Sequence, residues 1–481
     1  MKKSRREFVK TGAIAGAGIA GLTLTDAAAF GRHKSKTKAS ESSDPSIVRV
    51  GFIGIGGRGT GHVHDSITVG GLEIVSICDI SQAAIDNVQS LLSKNGHKPA
   101  KAYTGSDRAF EQMLKNEKLD AVIIATPWEW HVPMAIASMK AGVPYTGVEV
   151  SAANTLEECW DLVNVHEQTG NQVMIMENVC YRRDVMAILN MVRKNLFGEL
   201  VHCRCGYEHD LRGVKFDFKN EVLTIGKNAR SEANWRGLHS VRRNGDLYPT
   251  HGLGPIGVYL DINRGNRFLN IASMATKSRG LKKYIKDHSK NDNSLEPLTF
   301  NSGDIVTSMI KCANGETIIV THDTNLPRPY SLGFRVQGTN GLWKGEGGGD
   351  WQDAGEQIYI EGQSQPHQWD KAEPWLQKYD HQYWREKGGK ALGAGHGGMD
   401  FIMLSDFYDT VRHKRQVPLD AYDAAAWSAV SALSEMSVAR GGELVDFPDF
   451  TRGQWIKRHP SFAMDVQFPI DPERDYINNL F

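Results

Sequence analysis

Val48–Asp79, VRVGFIGIGGRGTGHVHDSITVGGLEIVSICD, is the stretch that decides the fold. The apolar run from Val48 to Ile55 leads into Gly54-Ile55-Gly56-Gly57-Arg58-Gly59, which fits G-x-G-x-x-G. A polar, helix-capable segment follows, and a second apolar run, Leu72 to Cys78, closes on Asp79. This is the order of a dinucleotide-binding β-α-β unit. Gly54 permits the tight turn, Gly56 lets the backbone approach a pyrophosphate, and Gly59 lets the helix pack close to the strand. The helix start offers unpaired N–H groups and a positive dipole end to the phosphates. Asp79 lies about 20 residues past the last glycine, where a carboxylate accepts ribose hydroxyls and repels a 2′-phosphate. The predicted cofactor is therefore NAD rather than NADP.

Strand and helix signals keep alternating downstream. Ser81 to Lys94 has a helical pattern, and Asp120 to Thr126 reads as a buried strand. Pro127-Trp128-Glu129-Trp130-His131 is expected as a loop at that strand's carboxyl end, where α/β sheets bind ligands. Val143 to Val150 is the next strand and presents Glu149-Val150; Val173 to Met176 follows and presents Glu177-Asn178. A helix is expected from Arg183, ended by Gly198. Beyond it the texture changes. Leu200 to Tyr207 alternates like a strand, and Asn314-Gly315 and Thr339-Asn340-Gly341 punctuate two hairpins. Trp351 to Gly398 shows little periodicity and is expected to wrap the surface. Helices are predicted at Met399–Arg412 and Tyr422–Ala439, then an irregular tail.

The predicted class is α/β: an N-terminal doubly wound parallel Rossmann sheet, then a C-terminal α/β domain with a large open mixed or antiparallel sheet. Residues 47–180 are assigned to the first domain, 181–446 to the second, and 447–481 to the tail. Before them, Ser4-Arg5-Arg6-Glu7-Phe8-Val9-Lys10 precedes a short Gly/Ala-rich apolar stretch and Ala27-Ala28-Ala29. Residues 1–31 thus read as a twin-arginine (Tat) export signal, and 32–46 as a polar linker. The expected location is the periplasm or cell envelope, with no stable membrane span once the signal is removed.

Lys+Arg and Asp+Glu both total 56 in 481 residues, so no net field draws nucleic acid. The six cysteines include no C-x-x-C pair, and neither a disulfide framework nor a metal site is predicted. His62, His64 and Asp65 have metal-like spacing but are expected on a helix surface.

The order of these motifs resembles the Gfo/Idh/MocA oxidoreductase family. Glu177-Asn178-Val179-Cys180-Tyr181, Gly206-Tyr207-Glu208-His209-Asp210 and Tyr248-Pro249-Thr250-His251-Gly252 resemble one branch of it, glycoside hydrolase family 109. That branch comprises NAD-dependent α-N-acetylgalactosaminidases. The wider family usually carries Glu-Lys-Pro where this chain has Glu149-Val150-Ser151, and Val150 cannot carry that lysine's proton. The resemblance implies hydrolysis of terminal α-N-acetylgalactosaminides with tightly bound NAD: oxidation at C3, elimination of the aglycone, addition of water, and re-reduction. The alternative is a net NAD-dependent sugar dehydrogenase.

The resemblance also implies the site. His251 and Tyr248 are the expected proton-transfer residues. Tyr207, Arg236, Tyr248, Pro249, Thr250, His251 and Tyr330 are expected at the sugar, with Arg212 and His209 as weaker candidates. Gly54, Gly56, Gly57, Arg58, Asp79, Trp128, His131, Glu149, Val150 and Asn178 are expected at NAD. His396 is read as structural, and Glu177 as a buried acid paired locally. An exposed face on the second sheet would favour pairing with another copy of the chain.

Overall fold

Strand β1 (Val48–Ile53) is buried along nearly its whole length, as is β4 (Ala121–Ile124), and the two lie side by side in parallel. Apolar runs of this kind suit strands covered on both faces by helices. With β2 (Leu72–Cys78), β3 (Lys101–Tyr103), β5 (Tyr145–Val148) and β6 (Gln172–Ile175), they form a parallel sheet ordered β3-β2-β1-β4-β5-β6. The order reverses between β1 and β4, which opens a crevice at the carboxyl edge. The computed structural model describes residues 46–219, 222–289, 294–346 and 355–474. The export segment expected at 1–31 and all but the last residue of the expected linker lie outside them.

At the end of β1 the chain turns through Gly54, whose φ of +77° few other residues adopt, into the helix Gly57–Val69. A Cβ on Gly59 would fall 1.9 Å from the Gly54 carbonyl oxygen, so only glycine lets this helix approach its strand. The predicted helix Ser81–Lys94 is found at Gln82–Lys94 with Ser81 as its cap, its Oγ accepting from Ala84 N. Trp128–His131 is not a loop: it forms the first turn of the helix Trp128–Lys140. Pro127 caps that helix, and only Ala125 and Thr126 separate it from the strand.

The second sheet holds β7 (Leu200–Glu208), β10 (Phe268–Ala275), β11 (Ile305–Cys312), β12 (Thr317–Asp323), β13 (Phe334–Gly338), β14 (Gly341–Gly345), β15 (Gln357–Ile360), β16 (Asp370–Lys371) and β17 (Val445–Asp446). Its order is β16-β15-β14-β13-β7-β12-β11-β10-β17. Only the β7–β12 pair is parallel. A separate small ribbon joins β8 (Asp217–Lys219) to β9 (Val222–Thr224). Both hairpins predicted at Asn314-Gly315 and Asn340-Gly341 are present. The surface wrap expected for Trp351–Gly398 is corrected over its described part. There β15 and β16 extend the sheet, and helices form at Glu373–Lys378 and Gln382–Ala391. Strands of two to four residues are too short to leave a periodic trace in sequence.

The late helices Met399–Arg412 and Ala421–Ala439 return to the first sheet. Tyr408 Oη lies 2.7 Å from Ser66 Oγ on the Gly57–Val69 helix, and Ile175 N of β6 donates to Leu419 O at 3.1 Å. The Rossmann layer is therefore completed by residues more than 200 positions later. All six cysteines are buried free thiols.

Replacing Gly59 by Ala should cost about 1–3 kcal/mol of stability through this overlap. Urea denaturation should show the lower midpoint, and the purified variant should lose its nucleotide.

Candidate active site

Five connections converge at the carboxyl edge of the first sheet: the glycine turn after β1, Asp79 after β2, Trp128 after β4, Glu149 after β5 and Glu177-Asn178 after β6. Asp79 braces the turn, accepting from Ile55 N and Ser81 N, each at 2.8 Å. Its carboxylate keeps lone pairs for further donors. Side chains on Gly56 and Gly57 would meet nothing within 4 Å, so the backbone of the turn lies open. The helix that starts there has no side-chain cap. Asn178 donates from Nδ2 to Asp400 Oδ1 at 2.8 Å, which leaves its buried Oδ1 with no protein partner. An open N–H turn, a ribose-side carboxylate and an orphaned acceptor fit a dinucleotide along this edge.

Several side chains expected at the cofactor are committed elsewhere. Arg58 donates from Nε to Glu149 Oε1 at 2.7 Å and from Nη1 and Nη2 to Asp400 at 2.5 and 3.1 Å. Its guanidinium is thereby shared between these two carboxylates. Glu149 also takes His62 Nε2 at 2.6 Å and its neighbour Val150 N at 3.1 Å. Burial alone would raise the Glu149 carboxyl, but the Arg58 charge and the His62 hydrogen bond hold it far below the usual range. His131 is also locked, with Nδ1 2.8 Å from Ser151 O and Nε2 2.8 Å from Thr126 O. Burial pushes its imidazole below the ordinary value. Val150 is buried, and its carbonyl accepts from Trp128 Nε1 at 3.2 Å.

The trio His62, His64 and Asp65 is also corrected: His62 and Asp65 are buried, and only His64 faces solvent. No group of three or more His, Cys, Asp or Glu stands ready to hold a metal among the described residues.

The sugar-side candidates gather where the second sheet meets this edge. Pro249 caps the helix Thr250–Tyr259, which places His251 in its first turn. A Cβ on Gly252 would fall 2.6 Å from Gly206 N, so this helix lies flush on β7 and sets His251 beside Tyr207. Their ring centroids are 5.3 Å apart. Tyr248 stands 4.9 Å from His251 and 4.6 Å from Tyr207, and Tyr330 is 6.1 Å from Tyr207. Trp128 stacks 5.7 Å from Tyr248, and the Arg236 guanidinium sits 4.8 Å from Trp128 and 5.3 Å from Tyr248. Tyr207 Oη and His209 Nδ1 are 3.0 Å apart. Thr250 is fully buried, its Oγ1 without a protein partner. Arg212 is not part of this group: it pairs with Asp210 and lies over Tyr284.

His251 Nδ1 lies 2.7 Å from Glu177 Oε1, and Glu177 is wholly buried. A carboxylate only accepts, so Nδ1 is the donor here, and in the neutral tautomer the lone pair lies on Nε2. Glu177 was expected to pair locally; it bonds Val179 N at 3.1 Å but also reaches His251, 74 positions away. Burial pushes the Tyr207 hydroxyl up to about 12 and the Tyr248 hydroxyl well above its usual value. Both tyrosines therefore hold their protons at neutral pH.

Residues 181–457 match the family model described as "Glycosyl hydrolase 109, C-terminal domain", and residues 48–177 match "Oxidoreductase family, NAD-binding Rossmann fold". An alpha-N-acetylgalactosaminidase of Tannerella forsythia is 55% identical over 476 residues, covering 96% of this chain and 100% of the relative. The chain belongs to glycosyl hydrolase family 109. A family 109 protein of Parabacteroides distasonis is 56% identical over 474 residues, again covering 96% and 100%. Among solved structures, a levoglucosan dehydrogenase in complex with NADH and levoglucosan superposes with a TM-score of 0.62 at 18% identity. It covers 84% of this chain and 100% of that one, and at that identity shows the shared fold alone. The family 109 chain is thus a glycosidase built on an NAD-binding oxidoreductase fold, with a glycan substrate. No helix among the described residues is long and apolar enough to cross a membrane.

Beneath Tyr248, Asp246 is buried; its Oδ1 accepts from Tyr248 N at 3.0 Å and its Oδ2 has no partner. Burial, only partly offset by that bond, raises its carboxyl to about 7. A raised acid means that the folded state binds the extra proton, so stability falls as pH climbs from about 4 through 7. Asp246→Asn should therefore flatten the fall in melting temperature between pH 5 and 8 and exceed wild type at pH 8.

Proposed function

We propose that this family 109 enzyme removes terminal N-acetylgalactosamine from α-linkages through oxidation at C3, elimination of the aglycone, addition of water and re-reduction. The bound NAD supplies a reversible two-electron oxidation of the sugar, which cancels over one turnover. The printed activity of the Tannerella forsythia relative supports the substrate. One observation supports the chemistry: Glu177 and Asn178 are adjacent at the end of β6, and Glu177 holds His251 while Asn178 keeps a buried Oδ1 without a protein partner. On this reading one connection serves both the proton-handling and the cofactor side.

In this proposal His251 Nε2 removes the proton on C2, made acidic by the neighbouring ketone. Glu177 stabilises the imidazolium that results and keeps the ring oriented. Tyr248, protonated at neutral pH, donates to a sugar oxygen, as does Tyr207. Arg236 and the face of Tyr330 fit the amide and apolar ring surface of an N-acetyl sugar. Such a cycle departs from the two-carboxylate route of most glycosidases. We also propose Tat export to the periplasm or envelope, on the strength of Arg5-Arg6 and the apolar stretch after them.

Purified enzyme offered an aryl α-N-acetylgalactosaminide without added cofactor should release the aryl alcohol with no lasting rise in NADH absorbance. A stoichiometric rise that requires added NAD⁺ would instead establish a net dehydrogenase. In deuterated water the product should carry deuterium at C2. His251→Ala should retain its nucleotide but lose about 10²- to 10⁴-fold in kcat. A wild-type rate in that variant removes His251 from the role.

A further inference from the structure

Residues 395–400 reach back to the nucleotide edge from the far end of the chain. Gly395 N donates to Asp65 Oδ2 at 3.2 Å, on the helix that follows the glycine turn. His396 Nδ1 lies 2.6 Å from Asp400 Oδ2. Asp400, at the start of the helix Met399–Arg412, takes both Arg58 nitrogens from the glycine turn and Asn178 Nδ2 from the end of β6. One carboxylate, its side chain 3% exposed, therefore ties together the two connections that flank the cofactor edge and the short segment that precedes its own helix.

We propose that Asp400 is a positioning residue for the nucleotide, and that it anchors residues 395–400 as a strap that retains NAD between turnovers. The inference rests on the proposed cycle, in which the cofactor ends each round as it began. A net dehydrogenase resets by exchanging its nucleotide or by passing the hydride to a second substrate; an enzyme whose electron transfer cancels on one sugar needs neither and gains from closing the exit. The strap's attachments suit that need. Asp65 fixes it to the helix behind the phosphate turn, Arg58 to the turn itself, and Asn178 to the far strand end. Asp400 also orients Asn178, since accepting from Nδ2 is what leaves Oδ1 free. Its own state matches the task. Burial would raise its carboxyl, but the Arg58 charge and the hydrogen bonds from His396 and Arg58 keep it well below the usual range. The carboxylate thus stays ionised across the working pH range. His396, read from sequence as structural, contributes a strap contact while half its side chain remains in solvent.

The test compares Asp400→Asn and His396→Ala with wild type as full-length holoenzymes. Nucleotide content is read after denaturation, and exchange is followed with isotopically labelled NAD. Losing one charge-assisted bond should speed exchange about tenfold or more in Asp400→Asn, and about threefold in His396→Ala. Asp400→Asn should also purify with less nucleotide and recover activity when excess NAD is added. A purely structural clamp would lower the melting temperature but leave exchange at the wild-type rate, and that result overturns the proposal. Should Asp400→Asn fail to fold, His396→Ala decides alone, because its exposed side chain can be removed without opening the core. Wild-type enzyme that holds no nucleotide at all would instead overturn the proposed cycle, a separate outcome from the role of Asp400.

Discussion

The hydrogen bond between His251 and Glu177 is the contact on which the arrangement depends. It joins the end of the first sheet to the helix packed on the second, and its carboxylate end is wholly buried. Its geometry needs three things at once. The end of β6 must deliver Glu177 to the edge of the first sheet, and Pro249 must start a helix at the next residue. That helix must also lie close enough to β7 to bring His251 beside Tyr207. The last condition is met by an absent side chain, since any Cβ on Gly252 would press into the Gly206 backbone. The base is thus positioned by backbone contact on one side and by a buried carboxylate on the other, and a loop has no part in it.

Charge is distributed unevenly around this contact, and the asymmetry has a chemical sense. On the cofactor side Arg58, Glu149 and Asp400 form a set of paired charges, and His62 hydrogen-bonds to Glu149. Breaking one partner of such a set leaves a buried charge uncompensated, which makes the set rigid. On the sugar side, burial keeps the Tyr207, Tyr248 and Tyr330 hydroxyls protonated. That face can donate hydrogen bonds to a polyol without placing a second anion near His251. One face therefore holds still, and the other handles protons.

Much of this layout is legible in the residues themselves. Glycine spacing, apolar runs and a terminal acid are local signals, and they locate the parallel sheet, its crevice and Asp79. The motif Tyr248-Pro249-Thr250-His251 is also local, and it marks a helix start. Partnerships between distant segments leave no such trace. Arg58 looks like a phosphate ligand because it sits in the turn; only the folded chain brings Asp400 to it across 342 positions. His62 looks solvent-facing by spacing, yet it is covered because Glu149 arrives over it. Trp128–His131 reads as loop because aromatic residues after a proline carry weak helical preference. The helix forms there through the tertiary position of Trp128, whose indole is held by Val150 O.

Position 150 shows how the two halves exchange roles. In the wider oxidoreductase family, which this chain resembles, a lysine stands there and shares the proton traffic of alcohol oxidation. Here the side chain is a buried valine, and its carbonyl is used to hold Trp128, which in turn stacks on Tyr248. A lysine in that apolar setting would face a desolvation cost with Glu149 already paired to Arg58 and His62. Removing the amine from the first sheet leaves the edge to the nucleotide and to packing. In the proposed cycle the proton transfers fall to the helix on the second sheet, where His251 is held by a carboxylate that itself comes from the first. On that proposal, a fold shared with sugar dehydrogenases keeps its electron acceptor in place and gains a base on the second sheet, so that oxidation at one carbon can lead to bond cleavage at another.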